Sequence, residues 1–219
     1  MPVRQLKERR LARLRGLYAI VDGSAARPPL DLVRAFLRGG AAVVQLRLKA
    51  LPARDLFELA REAVAVCRQR DALLLVNDRP DVARAAGADG VHLGQDDLPA
   101  AAAREVLGAD ALVGVSSHSD AEIDAAISAG ADYLGFGPVF ETGSKPGAPL
   151  PPPHGLAGLE RAVRRAAPLR VVAIGGLTAG SAGGVARTGA ACAAAIGEIC
   201  HAADPESAAR ALAEAFARG

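Results

Sequence analysis

Short strand-like runs alternate with amphipathic stretches eight times along this 219-residue chain, and few architectures accommodate that rhythm. The runs fall at 17–21, 42–46, 73–76, 90–93, 112–115, 133–136, 171–174 and 192–196. Amphipathic segments follow around 31–38, 53–70, 81–86, 99–107, 119–129, 155–166, 181–188 and 205–218. Eight βα units in about 200 residues are the count for a closed (β/α)8 TIM barrel, near the lower end of its size range. An open doubly wound sheet is the competing architecture. It usually has fewer strands and a Gly-rich first turn, whereas VDGSAARPP at 21–29 lacks G-x-G-x-x-G. The expectation is therefore α/β: one TIM-barrel domain over 1–219, with an extra N-terminal capping helix at 1–15.

Gly-Ala-Asp recurs at 87–89 and 130–132, with Gly189-Ala190 placed similarly before the last strand. Each reads as a helix C-cap glycine, a packing alanine and entry into a strand. The one long irregular piece is 138–153, PVFETGSKPGAPLPPP, stiffened by its prolines; a loop of that length between compact βα units is usually functional.

Composition limits the partners. Apolar residues make up 51% of the chain, yet no run is long enough to span a bilayer. The basic start, MPVRQLKERRLARLR, is helical in pattern, without a secretory signal's apolar core or cleavage site. It reads as a solvated capping helix rather than a nucleic-acid or membrane contact. A formal net charge of +2 does not favour a polyanion. We therefore expect no nucleic acid and no membrane partner; homodimer formation stays open. Cys67, Cys192 and Cys200 are odd in number and lack metal-ligand spacing, which suits a reduced, cytoplasmic setting. His92, His118, His154 and His201 show no zinc spacing.

Parallel strands joined by helices end on the same edge of their sheet. In LLLVNDRPDVARAAGADGVHLGQDDLP, at 73–99, two successive strands end in acidic turns, so Asp78 and Asp97 face one opening. Two such carboxylates suit Mg²⁺, which takes a few protein oxygens and completes its shell with substrate phosphate. Asn77, beside Asp78, is the only asparagine in the chain. The second strand closes as VVQLRLK, and period-two alternation puts Gln45, Arg47 and Lys49 on one face, Leu46 and Leu48 on the other. A lumenal polar face would bring these groups to the metal; a solvent-capped strand end is the alternative. Lysines number only three among 26 basic residues, and two of them, Lys49 and Lys145, stand at candidate site positions.

The sixth strand runs into GFGPVFETGSK, where Thr142 and Ser144 offer hydroxyls and Lys145 a point charge suited to phosphate. The seventh and eighth strands end in Gly175-Gly176 and Ile196-Gly197. Barrel loops at those places commonly hold phosphate through backbone N–H groups. Ser116 reads as a hydrogen-bond donor to a ligand; without a G-x-S-x-G elbow, the nearby His118 does not make it a hydrolase nucleophile. His92 reads either as a wall of the cavity or as a satisfied core histidine. The inventory suits departure of a diphosphate, with charge neutralised by Mg²⁺ and by Lys and Arg.

The pieces YAIVD, VVQLRLK, the 73–99 segment, LVGVSSHS, GADYLGFGPVFETGSK and VVAIGGLT together resemble the thiamine phosphate synthase family over nearly the whole chain. The resemblance implies a Mg²⁺-dependent transferase acting on small phosphorylated substrates. It would join 4-amino-5-hydroxymethyl-2-methylpyrimidine diphosphate to hydroxyethylthiazole phosphate by a dissociative mechanism that needs no side-chain base. It implies Mg²⁺ on Asp78 and Asp97. Gln45, Arg47, Lys49, Asn77 and Lys145 would hold the pyrimidine diphosphate, with Ser116 near the pyrimidine and departing group; Arg47, Ser116 and Lys145 are the implied catalytic residues. Thr142, Ser144, Gly176, Ile196 and Gly197 would hold the thiazole phosphate. The chain departs from the family pattern at Leu48, Ser144, Gly197 and the proline-rich 146–153. Two alternatives accompany this expectation: the sister thiazole tautomerase, with a histidine where His118 stands, and a non-catalytic phosphate-binding barrel.

Overall fold

Barrel strands are buried on both faces, one against the lumen and one against the outer helices, so apolar residues dominate nearly every strand position. The computed structural model describes residues 3–143 and 151–219. Strands β1 (Gly16–Asp22), β2 (Val43–Arg47), β3 (Leu73–Asn77), β4 (Gly90–Leu93), β5 (Leu112–Ser117), β6 (Tyr133–Phe136), β7 (Arg170–Ile174) and β8 (Cys192–Ala195) pair in parallel and in sequence order. β8 returns to β1 in the register Gly16↔Cys192 to Ala19↔Ala195, which closes the barrel.

Helix α1 (Val3–Arg13) precedes the first strand. Helices α2 (Pro29–Arg38), α3 (Ala53–Gln69), α4 (Pro80–Ala86), α5 (Ala100–Leu107), α6 (Asp120–Ser128), α7 (Gly155–Ala166) and α8 (Ala179–Arg187) then alternate with strands. After β8 come a single turn, α9 (Gly197–Cys200), and α10 (Pro205–Ala217). The architecture is the expected TIM barrel with its extra N-terminal helix. Most boundaries shift by one or two residues; the departure that matters is at the last strand, where β8 stops at Ala195 and the chain turns at once into α9. Four residues are too few to show helical periodicity, so α9 leaves no pattern in the sequence.

Period-two alternation divides the core. Tyr18, Ile20, Val43, Leu73, Leu75, Leu112, Tyr133 and Val172 fill the lumen, while a larger cluster, including Phe36, Leu46 and Val76, lies between strands and helices. Leu48 belongs to that outer cluster, away from the lumen as alternation demands. Two glycines make room for rings inside the barrel. A Cβ on Gly114 would lie 2.0 Å from Tyr133 Cζ, and one on Gly135 would lie 2.9 Å from His92 Cε1.

The N-terminal helix closes the end of the barrel where the strands begin. Leu14 is fully buried in the lumenal cluster, with Leu11 packed against it. Arg10 reaches Asp89 (3.0 Å) and Asp110 (2.9 Å), and Lys7 reaches Asp132 (2.5 Å). Asp89 and Asp132 end the two Gly-Ala-Asp repeats. Each also accepts a backbone N–H from the preceding strand, of Leu74 at 2.9 Å and of Val113 at 2.8 Å. The repeat thus does more than turn the chain: its aspartate ties strand starts to the plug.

Candidate active site

At the opposite rim the strand tips surround a cavity of about 560 Å³. The lumenal face of β2 continues outward as Gln45, Arg47 and Lys49, and all three line this cavity, as do Asn77, Asp78 and Asp97. Gln45 is almost wholly buried, so its amide is a deep wall rather than a rim group.

The two acidic turns meet. Asp78 and Asp97 line the same cavity, close enough for the Asp97 carboxylate to act on Asp78, and Lys49 Nζ lies 2.8 Å from Asp78 Oδ2. Burial first, then the Asp97 carboxylate, raises the Asp78 pKa above the usual aspartate value, and Lys49 opposes them without overcoming them. Asp78 sits at φ 60°, a left-handed conformation uncommon outside glycine but tolerated by Asp. Its N–H donates to the His92 carbonyl at 2.9 Å, and the Gly94 N–H donates to Asp97 Oδ2 at 2.7 Å. Backbone contacts thus aim both carboxylates at one point. Among the described residues no group of three or more His, Cys, Asp or Glu side chains forms a cation cage. Two facing carboxylates instead fit an ion that completes its shell with water and substrate phosphate, as Mg²⁺ does.

Arg47 is held in place. Its Nη1 lies 2.5 Å from Asp22 Oδ2, while Ser24 donates to Asp22 Oδ1 through both its N–H (3.0 Å) and its hydroxyl (2.7 Å). Burial pushes the Asp22 pKa up, but the Ser24 bonds and the guanidinium outweigh it and hold the pKa below the ordinary range. Asp22 escaped sequence reading, although the alternation Tyr18, Ile20, Asp22 would have placed it on the lumenal face.

A second cavity, of about 280 Å³, lies over the tips of β6, β7 and β8. Thr142, Gly176, Ile196 and Gly197 line it, and it shares His118, Ile174, Ala194 and Ile196 with the first. The two compartments therefore adjoin. Gly175 and Gly176 adopt φ 100° and 65°. A Cβ on Gly175 would lie 2.7 Å from Pro138 Cα, and one on Gly176 would lie 2.3 Å from the Glu141 carbonyl oxygen. These glycines are thus required by their conformation and by the loop after β6 packed over them. His118 Nδ1 donates to the Gly137 carbonyl at 2.5 Å, which leaves Nε2 of the neutral ring as its acceptor.

Ser116 and His92 both line the larger cavity and are bonded to each other, Nε2 to Oγ at 3.0 Å. His92 is thus both a wall and a partnered interior group. Ser144 and Lys145 lie outside the described residues. Cys67, Cys192 and Cys200 are buried free thiols, and no helix among the described residues is long and apolar enough to cross a membrane.

The family model described as thiamine monophosphate synthase matches residues 17–199. A thiamine-phosphate synthase of Anaeromyxobacter dehalogenans is 49% identical over 211 residues, covering 96% of this chain and 91% of the relative. A thiamine-phosphate synthase of Moorella thermoacetica is 46% identical over 204 residues, covering 92% and 96%. Among solved structures, a thiamine phosphate pyrophosphorylase from Pyrococcus furiosus superposes with a TM-score of 0.86 at 36% identity, covering 94% of this chain and 98% of that one.

Proposed function

The chain belongs to the thiamine monophosphate synthase family and is a transferase, and from that premise we propose how its two compartments divide the work. The larger one takes 4-amino-5-hydroxymethyl-2-methylpyrimidine diphosphate, and the smaller takes hydroxyethylthiazole phosphate. The observation that carries this reading is the facing pair Asp78 and Asp97 beside Lys49 in the larger mouth.

Asp78 and Asp97 would hold Mg²⁺, which when bound neutralises charge on the diphosphate. Arg47, fixed by Asp22, and Lys49 would place further positive charge there, joined by Lys145. Asn77 and Gln45 offer amides to the diphosphate and the pyrimidine. Ser116 donates a hydrogen bond to the departing group, where negative charge grows as the C–O bond breaks. The methylene cation left behind is stabilised by its own aminopyrimidine ring, and the thiazole nitrogen captures it. No side chain has to remove a proton. In the smaller compartment Thr142, Ser144 and the backbone near Gly176, Ile196 and Gly197 would anchor the thiazole phosphate. Holding both partners in attack geometry contributes roughly 7–11 kcal/mol of the barrier reduction.

The test is a coupled assay of diphosphate release. Release is expected only with both substrates and Mg²⁺ present, and it should vanish in Asp78→Ala and on chelation. Full activity in that variant, or in EDTA, would refute the metal assignment. The tautomerase alternative predicts metal-free isomerisation of a carboxylated thiazole phosphate, lost in His118→Ala; the synthase names of the relatives stand against it.

A further inference from the structure

Five polar side chains from five strands join hands across the barrel interior. Gln45 Nε2 donates to the Tyr18 hydroxyl at 3.0 Å. The Tyr18 and Tyr133 hydroxyls lie 3.1 Å apart, and Tyr133 lies 3.1 Å from His92 Nδ1. His92 Nε2 closes the series on Ser116 Oγ at 3.0 Å. Both tyrosines are buried in a lumen whose other buried side chains are mostly aliphatic. Aliphatic residues would have filled the same volume without polar groups to satisfy. Gly114 opens the space of the Tyr133 ring and Gly135 that of the His92 ring, so the sequence accommodates the network at two further positions.

Counting hydrogens gives the network a direction. An amide nitrogen only donates, and a phenol has one hydrogen. Tyr18 accepts from Gln45 and so passes its own hydrogen to Tyr133. Tyr133 then gives its hydrogen to His92 Nδ1. Since Nδ1 accepts, the neutral ring carries its proton on Nε2 and donates to Ser116 Oγ. The Ser116 hydrogen is left to point into the mouth. Run the other way, the chain would leave the Tyr18 hydrogen without an acceptor in the series.

We infer that Tyr133 and His92 are positioning residues that, through the Nε2–H tautomer of His92, fix Ser116 as a hydrogen-bond donor toward the departing diphosphate. This rests on the role given to Ser116 above. Two measurements separate the relay from that role. In ¹⁵N-histidine-labelled protein without substrate, with His92 identified by its loss in His92→Gln, Nε2 is expected to carry the proton at neutral pH. An Nδ1–H tautomer, or an imidazolium, overturns the relay whatever the activity shows.

The second measurement is a double-mutant cycle on diphosphate release. Tyr133→Phe should lower kcat about tenfold, the effect of one hydrogen bond to a developing charge, with the KM of both substrates nearly unchanged. In the Ser116→Ala background the same change should cost nothing further. An equal loss in both backgrounds, or no loss in either, overturns the inference. If Tyr133→Phe does not fold, His92→Leu removes the donor to Ser116 itself and runs the same cycle. Unchanged turnover in Ser116→Ala alone overturns the role of Ser116 and with it the kinetic purpose of the relay.

Discussion

Gly197 opens the short helix α9 and does not share the left-handed conformation of Gly175 and Gly176. Gly197→Ser would add a hydroxyl donor at the mouth of the smaller compartment. Hydrogen bonds to charged groups contribute about 1.5–3 kcal/mol. The variant should therefore lower the KM for the thiazole phosphate roughly tenfold, with kcat unchanged, in steady-state kinetics. Asp78 poses the opposite case, a residue kept charged against its surroundings. Its raised pKa means that the metal-free fold loses stability as pH rises from the ordinary aspartate range through the folded pKa. Asp78→Asn relieves that repulsion, and Asn tolerates the same φ. The lost pair with Lys49 matters little, since that side chain is 58% exposed. The metal-free variant should melt at or above the parent at pH 7, while stabilisation by added Mg²⁺ disappears; a lower melting point would contradict the account. If Asp78 holds Mg²⁺ as proposed, protons compete with the ion at this carboxylate. Mg²⁺ affinity measured by calorimetry should weaken on acidification, beginning above the pH at which an ordinary aspartate titrates.

Among the elements, α1 was legible as a helix with a solvated charged face, which Arg4 and Glu8 form, but two of its cations, Lys7 and Arg10, turn inward onto the barrel. The Arg10 side chain is only 12% exposed and is shared between Asp89 and Asp110. Removing a partly buried cation leaves two carboxylates short of a partner, a cost between that of a surface pair and that of a buried one. Arg10→Ala should lose about 1–3 kcal/mol and about 2–4 °C in Tm for each kcal/mol. Because α1 closes the end of the barrel away from the strand tips, kcat should not change. A fall in kcat without a fall in Tm would show that the plug reaches the site. The short α9 is the converse case: it was not legible at all, yet it sets where β8 ends and what lines the smaller compartment.

At the scale of the molecule, closure leaves the lumen little room to adjust. β5 is paired to β4 and β6 on either side, so Gly114 cannot retreat from the Tyr133 ring. Gly114→Ala should cost about 3 kcal/mol or more, at the upper end of overpacking effects, read from the denaturant midpoint. Gly143→Ala, whose added Cβ meets nothing within 4 Å, should change stability by less than about 0.5 kcal/mol. Equal effects would mean that the ring moves aside easily and that the interior network is looser than its contacts imply. Closure also joins the two compartments, because His118, Ile174, Ala194 and Ile196 border both.

Strand number and order, the polar tips of β2, β3 and β4, and the direction of Leu48 could be read from residues alone, because each follows from local periodicity and from the rule that parallel strands end together. The pairing of Asp22 with Arg47, the approach of Asp97 to Asp78, the path from Gln45 to Ser116 and the plug's grip on two Gly-Ala-Asp turns could not. These depend on how far each strand is staggered against its neighbour around a closed ring. That stagger is a cooperative outcome of packing between residues as distant as Tyr18 and Tyr133, and no short window of sequence carries it.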